Sequence, residues 1–277
     1  MSLRARAPQA DAARAGGAPL RSRSPISART AMAGLFAVQL LLAGLIVWTD
    51  AAGRAPLGGD APISPVTREP ARKGDQTRPY SPREVPRRAD VPRGREAPMP
   101  APGEGLAFSR AILPGGGIAL EVTGAIAFGD DARFAVYLDA MPAPPDAVAL
   151  HSPGGSVQAA LLIGGMIRAR DLSTMVRAGE ACISACPLIL AGGAVRSVSR
   201  QAWIGVHQIS FAAPGLMGPA QAAYEVQILK AEMMRFWQEM GVDAGIETLS
   251  MAVAPERVYF LLEEELTALN LATRIED

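Results

Sequence analysis

Three short stretches of this 277-residue chain carry residues whose types and order could do chemistry. In "GEACISACPLILAGG", Ser184 stands between Cys182 and Cys186 at the start of an apolar helical run. A strand-to-helix junction exposes such a side chain beside a helix N-terminus. A serine hydroxyl attacks at neutral pH only with a base beside it, and "AWIGVHQ" supplies His207 at the end of the next apolar strand. In a parallel sheet successive strand ends share one edge, where α/β sites assemble. "HSPGGSV" sets Gly154 and Gly155 between a strand and a helix, where amides can point outward at charge developing on a carbonyl oxygen. Plainer readings stay open for all three. Ser184 could cap the helix, His207 could be a hydrogen-bonded core histidine, and Pro-Gly-Gly is also a turn signal.

The elements that must position these residues begin near Gly105. "GIALEVTGAIAF" and "RFAVYLDAM" read as strands, "DAVALHS" as a short apolar strand, and "VQAALLIGGMIRAR" as a helix with a basic last turn. "LSTMVRAG" is the next strand, "SACPLILAGG" a helix closed by glycines, and "AWIGVHQIS" a strand again. A Gly/Pro-rich loop leads into the long amphipathic "PAQAAYEVQILKAEMMRFWQEMG", a helix in "AGIETLSMAV" and a closing segment through "ERVYFLLEEELTALNLATRI". Strand–helix alternation of this kind predicts an α/β domain with parallel strands over residues 106–277. The run "PGGG" at 114–117 reads as a turn, and neither GxGxxG nor a P-loop is present.

The front of the chain reads differently. Residues 1–105 hold 16 Arg/Lys against 9 Asp/Glu, and residues 106–277 hold 11 against 18, so a net charge of zero conceals a basic half and an acidic half. The basic residues lie in proline-rich sequence without an aromatic platform, which argues against a nucleic-acid partner. Residues 31–48, "AMAGLFAVQLLLAGLIVW", carry no charge and as a helix reach about 27 Å, the thickness of a thin bilayer. Six arginines and one acid precede them, which predicts a cytoplasmic N-terminus over 1–30, a signal anchor over 31–48 and export of the remainder. A cleaved signal peptide is the competing reading, although the apolar run exceeds the usual 7–15 residues. Residues 49–105, rich in Pro and Arg and poor in large apolar side chains, predict a disordered linker.

Taken in order, "LHSPGGSV", "GEACISACPLILAGG" and "AWIGVHQ" resemble three segments of the Clp-type serine peptidases, and more closely the exported, membrane-anchored bacterial ClpP-like proteins with a Cys-x-Ser-Ala-Cys motif. The resemblance covers about residues 117–275. It implies a ClpP/crotonase-like spiral of ββα units and peptide hydrolysis through an acyl-enzyme. Ser184 would be the nucleophile and His207 the base, with Gly154 or Gly155 and the amide of Ala185 forming the oxyanion hole. It also implies a peptide or protein substrate, no cofactor, and a homo-oligomer assembled through the helix at 219–240. The setting it implies is a single-pass protein of a bacterial inner membrane with its C-terminal domain in the periplasm. One position departs from the pattern. The family's acid falls on Val258, which cannot orient an imidazole, and loss of that acid costs about 10⁴-fold in well-studied triads. Glu256 could substitute, or a Ser–His dyad could lean on a backbone carbonyl. A Ser–Lys pair finds only Lys73 and Lys230, neither near the motif in sequence.

Cys182 and Cys186 are the only cysteines, and export would permit a disulfide between them. On one helix face their Cα atoms would lie about 6 Å apart, within disulfide range; packing as two small apolar side chains is the other reading. Together with His151 and His207 they could make four metal ligands, but the spacing lacks a paired-ligand motif, and no metal site is expected. Two further function classes remain: a noncatalytic relative serving as an exported binding or assembly module, which the missing acid favours, and an acyl-CoA enzyme of the crotonase type, which an exported location disfavours.

Overall fold

An uncharged apolar run without proline is free to close every backbone hydrogen bond internally, and residues Ala28–Gly53 form one helix, α1. Within its stretch Ala28–Trp48 an 18-residue window reaches a mean hydropathy of 2.2, none of that window is buried, and the stretch is long and apolar enough to cross a membrane. The computed structural model describes residues 27–53, 71–82, 105–113, 115–209 and 218–277. Most of the predicted cytoplasmic segment (1–26), parts of the predicted linker (54–70 and 83–104), Pro114 of the "PGGG" turn and the Gly/Pro-rich loop at 210–217 lie outside those residues. The chain divides into two units, Met1–Ala61 and Pro62–Asp277.

The second unit is an α/β fold with two sheets. Five strands of the larger sheet run parallel in the order β3 (Ile118–Thr123), β4 (Ala147–His151), β5 (Ser173–Val176), β7 (Arg196–Ser199) and β10 (Arg274–Glu276), with β2 (Ala107–Ile112) antiparallel on the β3 edge. The smaller sheet has the order β1 (Thr77–Pro79), β9 (Arg257–Phe260), β8 (Trp203–Val206), β6 (Ala181–Ile183). Only its β6–β8 pair is parallel. The two sheets are stitched where Ser152, just past β4, pairs with Cys182 of β6. Helices α3 (Val157–Ala169) and α4 (Cys186–Ala191) share the main core with Leu120, Val148, Leu150, Phe134 and Trp237, all nearly inaccessible. The remaining helices are α5 (Pro219–Glu239), α6 (Gly245–Met251) and α7 (Glu263–Ala268).

Two expectations are corrected. "RFAVYLDAM" is not a strand but most of α2 (Asp130–Asp139). Strand alternation would bury Phe134, Val136 and Leu138 together; instead Phe134 and Leu138, four apart, are buried and Val136 is exposed. Asp130 and Asp131 favour the helix start, and the buried Asp130 carboxylate accepts the amides of Leu106 and Ala127 there. The second correction lies inside the predicted linker. Residues 71–82 are ordered against the folded unit, with β1 paired to β9. Gln76 accepts the Phe260 amide, Arg78 lies over the rings of Trp203 and Phe260, and the Tyr80 amide donates to the Glu256 carbonyl. A Pro/Arg-rich sequence without a core of its own is held here by an existing sheet edge and two aromatic rings.

Close helix packing sets a test of this arrangement. A Cβ at Gly192 would lie 2.2 Å from the Gly164 carbonyl oxygen, whereas one at Gly165, also on α3, would meet nothing within 4 Å. Gly192→Ala is expected to cost about 1–3 kcal/mol or more. Gly165→Ala should be neutral or stabilising by about 0.5–1 kcal/mol. Thermal melts of the two variants beside the parent check both signs.

Candidate active site

Parallel pairing of β6 with β8 brings the end of one strand beside the end of the other, and with them Ser184 and His207. The Ser184 amide donates to the Gly205 carbonyl at 2.9 Å. Ser184 itself takes φ 64°, a left-handed conformation that costs a non-glycine residue about 1–2 kcal/mol. Such strain gathers at functional sites, where the surroundings over-determine it. Here those surroundings are rigid: Ile183, Ala185 and Cys186 are all buried, and Cys182 is bonded to Cys186 with their Cα atoms 5.0 Å apart. Ala185, not Ser184, occupies the N-cap position of α4, and no side chain caps that helix.

The glycine turn lies directly against this bend. A Cβ at Gly154 would sit 2.4 Å from Ser184 Cβ and 3.0 Å from the Ala185 nitrogen; one at Gly155 would sit 2.1 Å from the Ile126 carbonyl oxygen. Both glycines have positive φ. Ile126 pins the turn from both sides, its amide donating to the Gly154 carbonyl and its carbonyl accepting the Ser156 amide, each at 2.8 Å. The Gly154 amide donates to Ser152 Oγ at 3.1 Å, while among the described residues the amides of Gly155 and Ala185 have no acceptor.

His207 is half-buried. Its Nδ1 lies 2.8 Å from the Gln208 carbonyl oxygen, which can only accept, so Nδ1 carries the proton and Nε2 keeps its lone pair. Nε2 is buried and without a hydrogen-bond partner, so the serine–histidine bond is not formed in this structure. Glu256 is exposed and, among the described residues, makes no hydrogen bond to the imidazole. Val258, where the acid would fall, is wholly buried with Trp203 and Phe260, and Gly205 lacks a Cβ where one would press on it. The valine belongs to the apolar cluster that packs β9 beside β8.

A buried polar chain behind His207 was not anticipated. Ser250 Oγ donates to the His207 carbonyl at 2.9 Å and receives Lys230 Nζ at 3.1 Å. Lys230 also pairs with Glu247, whose other carboxylate oxygen accepts Trp237 Nε1 at 2.8 Å. Lys230 and Trp237 are seven apart on α5, and Glu247 and Ser250 three apart on α6, so each pair shares a helix face. That periodicity is visible in the sequence; what each face meets is not. Ser184, Ala185, His207 and both glycines line one cleft of about 610 Å³, whose apolar wall includes Met233, Trp237 and Ile246. Lys73 and Lys230 do not reach Ser184 through any hydrogen bond among the described residues, and among them no group of His, Cys, Asp and Glu could hold a metal ion.

No protein-family profile and no curated protein matches the chain. Among solved structures it is similar to a ClpP1 point mutant from Listeria monocytogenes, with a TM-score of 0.45 and 16% identity, over 57% of this chain and 91% of that one.

Two outcomes are expected. Burial holds the His207 imidazole below its ordinary pKa of 6.5; the Gln208 contact opposes this, the Lys230 charge adds to it, and Glu256 opposes it weakly. The unfolded chain therefore binds a proton near pH 6.5 that the folded chain resists, so this residue's contribution to stability falls as pH drops from 6.5 toward the folded midpoint. An NMR titration of the two histidines should place the His207 midpoint below 6.5; a midpoint at or above 6.5 would contradict the burial. Breaking Cys182–Cys186 with a reductant should lower stability by about 2 kcal/mol, as expected for so short a loop, read as a shift in the chemical-denaturation midpoint.

Proposed function

We propose that the chain is a membrane-anchored serine peptidase that hydrolyses peptide bonds through an acyl-enzyme on Ser184, with His207 as base. The observation that carries this reading is Ser184 itself, held at φ 64° against Gly154 and sharing one cleft with His207. The tautomer supports it, since the Gln208 carbonyl leaves Nε2 as the acceptor. In the acylation step Ser184 Oγ bonds to the substrate carbonyl carbon and its proton passes to His207 Nε2. The carbonyl oxygen, now an oxyanion, takes the Ala185 amide together with Gly154, once its bond to Ser152 is exchanged, or Gly155. Collapse breaks the C–N bond, and the proton on Nε2 goes to the leaving amine. Water then repeats the sequence on the ester, giving up a proton to Nε2 and freeing Ser184. Preorganised amides of this kind are worth about 10²–10³ in rate each. The third member in this account is the Gln208 carbonyl rather than Glu256.

The arrangement of the family, a ClpP/crotonase-like spiral, belongs to the same proposal, as do self-association and location. α5 leaves Tyr224, Ile228 and Met234 exposed, which supports a homo-oligomer through that helix. α1, with the arginines before it, supports a single-pass anchor with the C-terminal domain in a bacterial periplasm.

The test is a fluorophosphonate probe on the full chain in detergent. Labelling should vanish in Ser184→Ala with the melt nearly unchanged and fall at least about a hundredfold in His207→Ala. In Glu256→Gln it should stay within about twofold, because an exposed charge without a direct bond contributes little. A second reading, an exported module that keeps the fold without catalysis, is favoured by Val258 and by the unformed Ser184–His207 bond. A folded chain that takes no label would put that reading first.

A further inference from the structure

Resting on the reading of Ser184 as nucleophile, we infer that Tyr80, delivered by the membrane-side segment 71–82, is a positioning residue of the site that fixes both the glycine turn and the His207 ring. Two independent contacts point to it. The Tyr80 hydroxyl donates to the Pro153 carbonyl, the peptide unit that leads into Gly154. Its ring lies 5.3 Å from the His207 ring, tilted by 44°, and Tyr80 forms part of the cleft wall without filling it. The Pro153 carbonyl and the Gly154 amide belong to one planar peptide unit, so a bond that fixes the carbonyl also fixes the direction of that amide. Ile126 holds the later peptides of the same turn, at the Gly154 carbonyl and the Ser156 amide. Tyr80 thus supplies an anchor at the start of the turn that no other hydrogen bond to Pro153 among the described residues provides.

The segment is built to hold that ring in place. β1 pairs with β9 at Thr77–Pro79, and the Tyr80 amide continues the pairing to Glu256. Gln76 donates to Tyr259 Oη and to Glu265, which also accepts the Tyr259 hydroxyl. Burial raises the Tyr80 pKa well above its usual value, keeping the phenol protonated as a donor. Among the described residues the other charged groups around His207 are Lys230 and Glu247, on α5 and α6, and the exposed Glu256 ahead of β9; the Tyr80 ring lies beside the imidazole as a neutral neighbour. A segment that joins the anchor to the domain therefore completes the site.

Full-length chain in detergent, labelled with isotopic histidine, tests this with Tyr80→Phe and Tyr80→Ala. Tyr80→Phe keeps the ring and loses the hydroxyl. It should slow fluorophosphonate labelling of Ser184 about tenfold, the scale of one lost hydrogen bond, with the His207 midpoint and the melt nearly unchanged. Tyr80→Ala should slow labelling further and move the His207 midpoint up toward 6.5. Labelling within twofold of the parent in both variants would overturn the inference, and so would faster labelling in Tyr80→Ala, since the segment would then shield the site rather than build it. If the parent takes no label, the serine reading fails by itself, and the histidine titration decides alone: an upward shift in Tyr80→Ala supports the contact, and no shift overturns it.

Discussion

Two backbone turns meet in this protein with no side chain between them, and the site depends on that approach. Gly154 lies so close to Ser184 that a single methyl group would enter the serine's own Cβ. The contact requires glycine on one side and, on the other, a serine in a conformation that serine rarely adopts. Each turn is held from outside: the glycine turn by Ile126 and Tyr80, the serine turn by Gly205 and the Cys182–Cys186 bond. Strain of about 1–2 kcal/mol at one residue persists because four separate anchors oppose its release.

The histidine is fixed in a different way. It follows β8, so the strand sets its position but not its ring. The peptide that follows it is held by α6 and the turn after it, through Ser250 to the His207 carbonyl and through the Val253 carbonyl to the Gln208 amide. The Lys230–Glu247 pair behind Ser250 is largely buried, Glu247 fully, and breaking such a pair leaves a charge stranded in a poor solvent. That makes α5 and α6 part of the site's rigidity although neither carries a reacting atom. The carbonyl of Gln208 fixes the tautomer, and the aromatic ring of Tyr80 packs beside the imidazole.

Much of this arrangement was legible in local sequence. The order Gly154–Gly155, Ser184, His207 at strand ends foretold their convergence, because parallel pairing leaves few other places for them. α3, α4 and α5 followed from apolar periodicity. What stayed hidden depended on partners distant in the chain. The strand-like alternation of Phe134, Val136 and Leu138 gave way to a helix once Gly129 and Asp130 started one. Tyr80 sits in a stretch whose composition argues for disorder, and only the β9 edge gives it a place. Glu247 and Lys230 carry charges that read as solvated faces until α5 and α6 turn them toward each other. Val258 stands where the resemblance places an acid, and its contact with the β8 backbone at Gly205 is visible only in three dimensions.

The pH dependence of Ser184 phosphonylation, with the adduct located by peptide mapping, tests the central claim most directly. A serine activated by a half-buried, neutral His207 predicts one adduct, on Ser184, whose rate rises with a single midpoint below pH 6.5 and is flat above it. An adduct at another residue, a rate still climbing well above neutrality, or a folded chain that gains no mass would contradict the account.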